Sequence, residues 1–152
     1  MSFPLLWRVC LSTANGSFKV LVIDDSNTIR RSAEIFLKQA GYKVLLSEDG
    51  FDALSKVNDT MPDIIFCDIL MPRLDGYQTV AIIKRSPRHA AIPVVMLSSK
   101  DGVFDKARGR MVGAEAYLTK PFTKDQLLQA VDNYRHGADA SSTTSGTSTT
   151  KP

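Results

Sequence analysis

The sequence predicts an α/β domain in which helices wind both faces of a five-stranded parallel sheet, a (βα)5 unit. Three observations carry this. Short apolar runs alternate with stretches of helical periodicity. Those runs are continuously apolar, as in strands covered on both faces. Each run also gives way to polar residues at or just beyond its carboxyl end, where open parallel sheets place their binding sites. The chain has 152 residues and a net charge of +3, long enough for one sizeable core.

The first strand is Lys19–Ile23. After it, Ile29, Ala33, Phe36, Leu37 and Ala40 recur on one face of a helix that stops at Gly41. The second strand is Lys43–Ser47. Beyond Asp49 and Gly50, the positions Phe51, Leu54 and Val57 mark the apolar face of a second helix. The third strand is expected over residues 63–67, and Tyr77, Val80 and Ala81 mark the helix after Asp75 and Gly76. A fourth strand over 93–97 precedes a helix marked by Ala107 and Met111 that ends near Gly113. A fifth strand over 116–118 precedes a helix built on Leu127, Val131 and Tyr134.

The folded domain is expected at residues 18–136. Residues 1–17 read as a flexible extension, because Arg8 interrupts their short apolar patch and a secretory signal needs a longer run. Residues 137–152 are rich in Ser, Thr and Gly without a large apolar side chain, so a disordered tail is expected. No run reaches the ~18 apolar residues of a membrane span, so no membrane insertion is expected. Cys10 and Cys67 form neither a disulfide framework nor a zinc pattern with His89 and His136, which points to a reducing cytoplasm. The mild positive charge alone does not indicate nucleic acid, whose footprint needs basic residues clustered on one face, so nucleic acid is not an expected partner. The run KRSPRH reads as a solvated helix end.

Asp24 and Asp25 follow the first strand, Asp68 the third, Ser98 the fourth and Lys120 the fifth. Singly, each has an ordinary reading. The two acids could be a loop before an N-cap at Ser26 or Thr28. Ser98 could be a cap, Lys120 a solvated lysine, and Tyr117 strand packing. Together, all five strand-end positions can meet in one crevice. Three carboxylates there repel one another and call for a cation. A cluster of hard oxygen donors suits Mg²⁺, and Lys120 adds a fixed positive charge.

The strings VIDDSNTIRR, DILMPRLDGYQT, MLSSKDGVFDKARG and AYLTKPF resemble the receiver domain of two-component response regulators, the CheY-like superfamily. The resemblance implies a flavodoxin-like strand order, 2-1-3-4-5. It implies Asp68 as phosphoacceptor, with Asp24, Asp25, Asp68 and the Leu70 backbone carbonyl around Mg²⁺. Ser98 and Lys120 would bind the phosphoryl group, Ser98 and Tyr117 would form a switch, and Lys120–Pro121 would be a cis peptide. The strings look closer still to twitching-motility regulators. That implies a CheA-like histidine kinase, or its phosphotransfer domain, as donor and a downstream pilus-related protein as output. The surface of the fourth helix, fifth strand and fifth helix carries Lys106, Arg108, Arg110 and Lys124, so an acidic partner patch is expected. Leu70 replaces a polar residue of flagellar chemotaxis receivers, and Lys100 follows closely on Ser98, so the lifetime of the phosphorylated form does not carry over from them.

Rival readings fit less well. A haloacid-dehalogenase-like Mg²⁺ phosphatase wants an acid two residues after its nucleophile, but Ile69 and Leu70 follow Asp68, and Asp25 and Ser26 follow Asp24. A transcription factor wants an effector module, where the sequence instead runs into its Ser/Thr tail. A receiver working without phosphorylation would not need so complete a site. The expectation is a stand-alone receiver, a phosphoacceptor and not an enzyme, which catalyses only its own phosphoryl transfer and dephosphorylation.

Overall fold

The computed structural model describes residues 18–99 and 110–140. Its elements are β1 (Lys19–Ile23), α1 (Asn27–Gln39), β2 (Lys43–Ser47), α2 (Gly50–Thr60), β3 (Ile64–Asp68), α3 (Gly76–Arg85), β4 (Val94–Ser99), β5 (Ala116–Lys120) and α4 (Lys124–Ala140). The five strands form one sheet in the order β2-β1-β3-β4-β5, and every pairing is parallel.

Alternation along each strand divides the core between two faces. Leu21, Ile23, Ile65, Cys67, Val94 and Met96 pack with Ala53 and Val57 of α2 and with Tyr77, Val80 and Ile83 of α3. Val20, Val22, Ile64, Phe66, Val95 and Leu97 pack with Ala33 and Leu37 of α1 and with Leu127 and Val131 of α4. Full burial of one such aliphatic side chain stabilises the fold by about 1.5–3 kcal/mol. The continuous apolar runs are therefore what a sheet between two helical layers requires.

Strand ends differ from expectation for one reason. The backbone ladder continues through the polar positions, since it is indifferent to side-chain polarity. Asp68 pairs with Leu97, Ser98 with Thr119 and Ser99 with Lys120. β3, β4 and β5 thus run on into the functional residues instead of stopping before them.

Two apolar assignments are corrected. Phe51 is not a core residue of α2 but is 55% exposed, lying under the Arg73 guanidinium at 5.5 Å. The buried face is formed by Gly50, Ala53 and Val57, with Leu54 packed at its edge. Met111 is 84% exposed. Ala107 lies outside the described residues, and only the last turn of the expected fourth helix, 110–112, lies within them. α4 continues past the expected boundary at His136 to Ala140. His89, assigned to a solvated end, is buried.

Candidate functional site

The carboxyl ends of β1, β3, β4 and β5 converge as expected. Asp24 follows β1 and is completely buried, its backbone N–H donating to the Ser47 carbonyl at 3.1 Å. Asp25 is exposed beside it. Asp68 closes β3 and is 4% exposed. One carboxylate oxygen from each of Asp24, Asp25 and Asp68 lies within 4.8 Å of the others. Ser26 is the N-cap of α1, with its hydroxyl accepting from the Ile29 N–H at 3.4 Å. The capping reading of this loop and the acid-cluster reading are therefore both realised, by different residues.

Lys120 ends β5, and its Nζ bridges two of the acids. It donates to Asp68 Oδ1 at 2.9 Å and to Asp24 Oδ2 at 3.1 Å. The second pairing was not foreseen. The other Asp24 oxygen accepts from the Ser26 N–H at 2.9 Å, so this buried carboxylate is held at both ends. The peptide after Lys120 is cis, as expected.

One ammonium against three carboxylates leaves the site short of positive charge. Burial pushes the Asp68 carboxyl up, the Lys120 hydrogen bond opposes this, and the Asp24 charge raises it again, to about 7. Burial disfavours charge on Lys120, but its hydrogen bond to Asp68 and the charges of Asp24 and Asp68 outweigh that and raise its pKa. Both shifts mark a site arranged for added cationic charge. Oxygen-only donors at this spacing fit a hard divalent ion such as Mg²⁺.

Ser98 sits in β4 at 1% exposure, and among the described residues its Oγ has no hydrogen-bond partner. A buried hydroxyl without a partner is costly, by about 1–3 kcal/mol. An incoming anion with acceptor oxygens would satisfy it. Leu70 is 65% exposed beyond Asp68. Tyr117 lies on β5, half-buried against the α2/α3 side of the core. It also lines a groove of about 440 Å³ shared with Gln126, Gln129, Asn133 and Tyr134 of α4.

That groove adds a polar, mostly uncharged patch beside the expected basic output surface. Its helix side is made of three amides, Ala130, Tyr134 and Asp125. Lys124 instead donates to Gln39 Oε1 of α1 at 2.9 Å, because the first turn of α4 packs toward that helix. Arg110 is exposed, while Lys100, Lys106 and Arg108 lie outside the described residues.

Sequence reasoning also missed the role of Gly76. A Cβ there would lie 2.2 Å from the Asp68 carbonyl oxygen and 2.8 Å from the Ile69 Cα. The Gly76 N–H donates to the Ile69 carbonyl at 2.8 Å. The start of α3 therefore rests directly on the backbone that carries Asp68. The helix start after the Asp-Gly pair was legible, but nothing local in the sequence signals such a close approach.

Known proteins resemble the chain in sequence and fold. Residues 20–132 match the family model of the response regulator receiver domain. The chain is 63% identical over 117 residues to protein PilG of Pseudomonas aeruginosa, covering 77% of this chain and 87% of that one. It is 34% identical to protein PilH of the same organism over 114 residues, covering 75% and 94%. Among solved structures, chemotaxis protein CheY4 of Vibrio cholerae superposes with a TM-score of 0.72 at 33% identity, covering 76% of this chain and 97% of that one.

Proposed function

The chain belongs to the response regulator receiver domain family, and from that membership we propose that Asp68 accepts a phosphoryl group from a histidine kinase. The observation that carries this is the buried Asp68 carboxylate. It is paired with Lys120, clustered with Asp24 and Asp25, and accompanied by a buried Ser98 hydroxyl with no hydrogen-bond partner among the described residues.

A carboxylate oxygen of Asp68 attacks the phosphorus of a phosphohistidine. The O–P bond forms as the N–P bond breaks, and the bonding pair returns to the imidazole, which regains its proton from solvent. Asp24, Asp25, Asp68 and the Leu70 carbonyl would hold Mg²⁺. The ion supplies charge neutralisation for the oxygens that become more negative during transfer. Lys120 holds the attacking carboxylate in place and then pairs with the phosphoryl group. Ser98 donates its hydroxyl to a phosphoryl oxygen, and its movement frees Tyr117 to change the surface beside β5.

The finer reading is a receiver that signals by phosphorylation-dependent protein binding in a type IV pilus chemosensory system controlling twitching motility. The 63% identity to PilG supports it. The donor would be a CheA-like kinase or its phosphotransfer domain, and the output a pilus-related protein, both in the cytoplasm. The amide-lined groove beside β5 favours a partner that offers hydrogen-bonding groups and an aromatic or apolar anchor over a strongly acidic one.

The test is transfer of label from a histidine-phosphorylated phosphotransfer domain of such a kinase. Wild type should take the label when Mg²⁺ is present and lose most of that capacity in EDTA, and Asp68→Asn should take none. Equal labelling of Asp68→Asn would overturn the assignment of the acceptor.

A further inference from the structure

α1 breaks a rule that helices usually obey. Its first turn contains no acid, and Arg30 and Arg31 follow immediately. Cations near a helix N-terminus oppose the helix dipole, typically by about 0.3–1 kcal/mol. Local violations of this kind tend to occur where function demands them. Arg31 has a structural explanation, since it is exposed and pairs with Glu34 at 3.5 Å. Arg30 borders a hollow that Glu48, Asp49 and Asp52 also line, but its hydrogen bonds go to backbone and amide oxygens.

Helical side chains lean toward the N-terminus of their helix, and Arg30 leans back onto the loop between β1 and α1. Its Nη1 donates to the Asp24 backbone carbonyl at 2.7 Å. Its Nη2 contacts Asn27 Oδ1 at 3.3 Å. That carbonyl belongs to the peptide linking Asp24 to Asp25. On its other side, Asp24 is fixed by its N–H on Ser47, its Oδ1 on Ser26 and its Oδ2 on Lys120. The Asp25 side chain meets the Asp68 carboxyl, and its backbone follows the peptide that Arg30 holds. Asp25 is the exposed member of the acid cluster, and the plane of the preceding peptide sets where its side chain starts.

We propose that Arg30 is a positioning residue for divalent-cation binding, fixing the Asp24–Asp25 peptide so that the Asp25 carboxylate is presented to the ion. This rests on the reading of the acid cluster as an Mg²⁺ site. The two possible effects of Arg30 have opposite signs. As a nearby positive charge, it would weaken cation binding, and its removal would tighten it. As a positioning group, it strengthens binding, and its removal weakens it. Groups that orient ligands in this way typically alter metal affinity about 10–100-fold.

The experiment is calorimetric titration of the unphosphorylated protein with Mg²⁺, using wild type, Arg30→Met, Arg30→Lys and Arg31→Met, each checked by thermal melting. Arg30→Met should weaken Mg²⁺ binding on the order of tenfold. Arg30→Lys, which keeps the charge but loses the guanidinium fork, should fall between it and wild type. Arg31→Met removes an equal charge from the same turn and should bind as wild type or slightly tighter. If Arg30→Met does not fold, Arg30→Lys carries the test. Unchanged or tighter Mg²⁺ binding in the folded Arg30 variants would overturn the proposal while leaving the site intact. Absence of Mg²⁺ binding by wild type would instead overturn the reading of the site itself.

Discussion

Asp68 carries the electrostatic tension of the molecule. Its ordinary pKa of 3.8 is pushed up to about 7, chiefly by burial. The folded state therefore holds a proton there that the unfolded chain releases near pH 4. Stability from this group is present below that pH and is lost as pH rises through about 7. The raised Lys120 pKa adds no slope in this window, because that lysine stays charged in both states. Metal-free wild type should therefore lose stability between pH 5 and 8, and Asp68→Asn should not. At pH 8 the variant should be the more stable on the order of 1–2 kcal/mol, after allowance for solvent around the site. Mg²⁺ should narrow the gap by stabilising wild type. Thermal melts across pH in EDTA check this, and parallel pH profiles for the two proteins would refute it. The identity of Asp68 as a site residue was legible from its place at a strand end. Its shift was not, because burial and the Asp24 neighbour arise only when β1 and β3 are brought side by side.

At the scale of elements, α2 and α3 approach the site through glycines of different tolerance. A methyl at Gly76 would press on backbone atoms of Asp68 and Ile69, at 2.2 and 2.8 Å. Backbone in a central strand cannot yield locally. A methyl at Gly50 would meet side-chain atoms of Thr79 and Leu74, at 2.4 and 2.8 Å, which can rotate. Gly76→Ala should cost about 3 kcal/mol or more, above the usual range for overpacking, and should weaken Mg²⁺ binding by moving Asp68. Gly50→Ala should cost about 1–2 kcal/mol and leave the site in place. Denaturant unfolding with Mg²⁺ titration separates the two, and equal costs would contradict the contact argument. Most element boundaries were readable. Helical spacing and the stop at Gly41, which adopts φ 91°, fixed the extent of α1. Phe51 and Met111 were misassigned because apolar character alone cannot say which side of a short helix meets the sheet. In α2 the tight face belongs to Gly50 and Ala53, which the periodicity reading did not weigh.

The doubly wound order β2-β1-β3-β4-β5 was implied by family resemblance, and the polar residues at the strands' carboxyl ends explain why the site forms along that end of the sheet. The groove beside β5 was not legible, since it depends on how α4 packs against β5. Tyr117 lies between site and groove, three residues before Lys120 and on the strand that pairs with Ser98. A phosphoryl group can shift a partner only by its differential affinity for two surface states, commonly ~1–3 kcal/mol. Tyr117→Ala should leave Asp68 phosphorylation near normal and abolish most of the difference in partner affinity with and without a beryllofluoride mimic. A full wild-type difference in the variant would make Tyr117 packing alone. The central claim, that these strand ends form one phosphoryl-accepting site, is tested most directly without any partner. The protein is incubated with acetyl phosphate, the acyl phosphate is reduced with borohydride, and the modified residue is located by peptide mass mapping. One modification at Asp68 that requires Mg²⁺ and disappears in EDTA is the predicted result. Modification at another residue, or the same yield at Asp68 in EDTA, would contradict it.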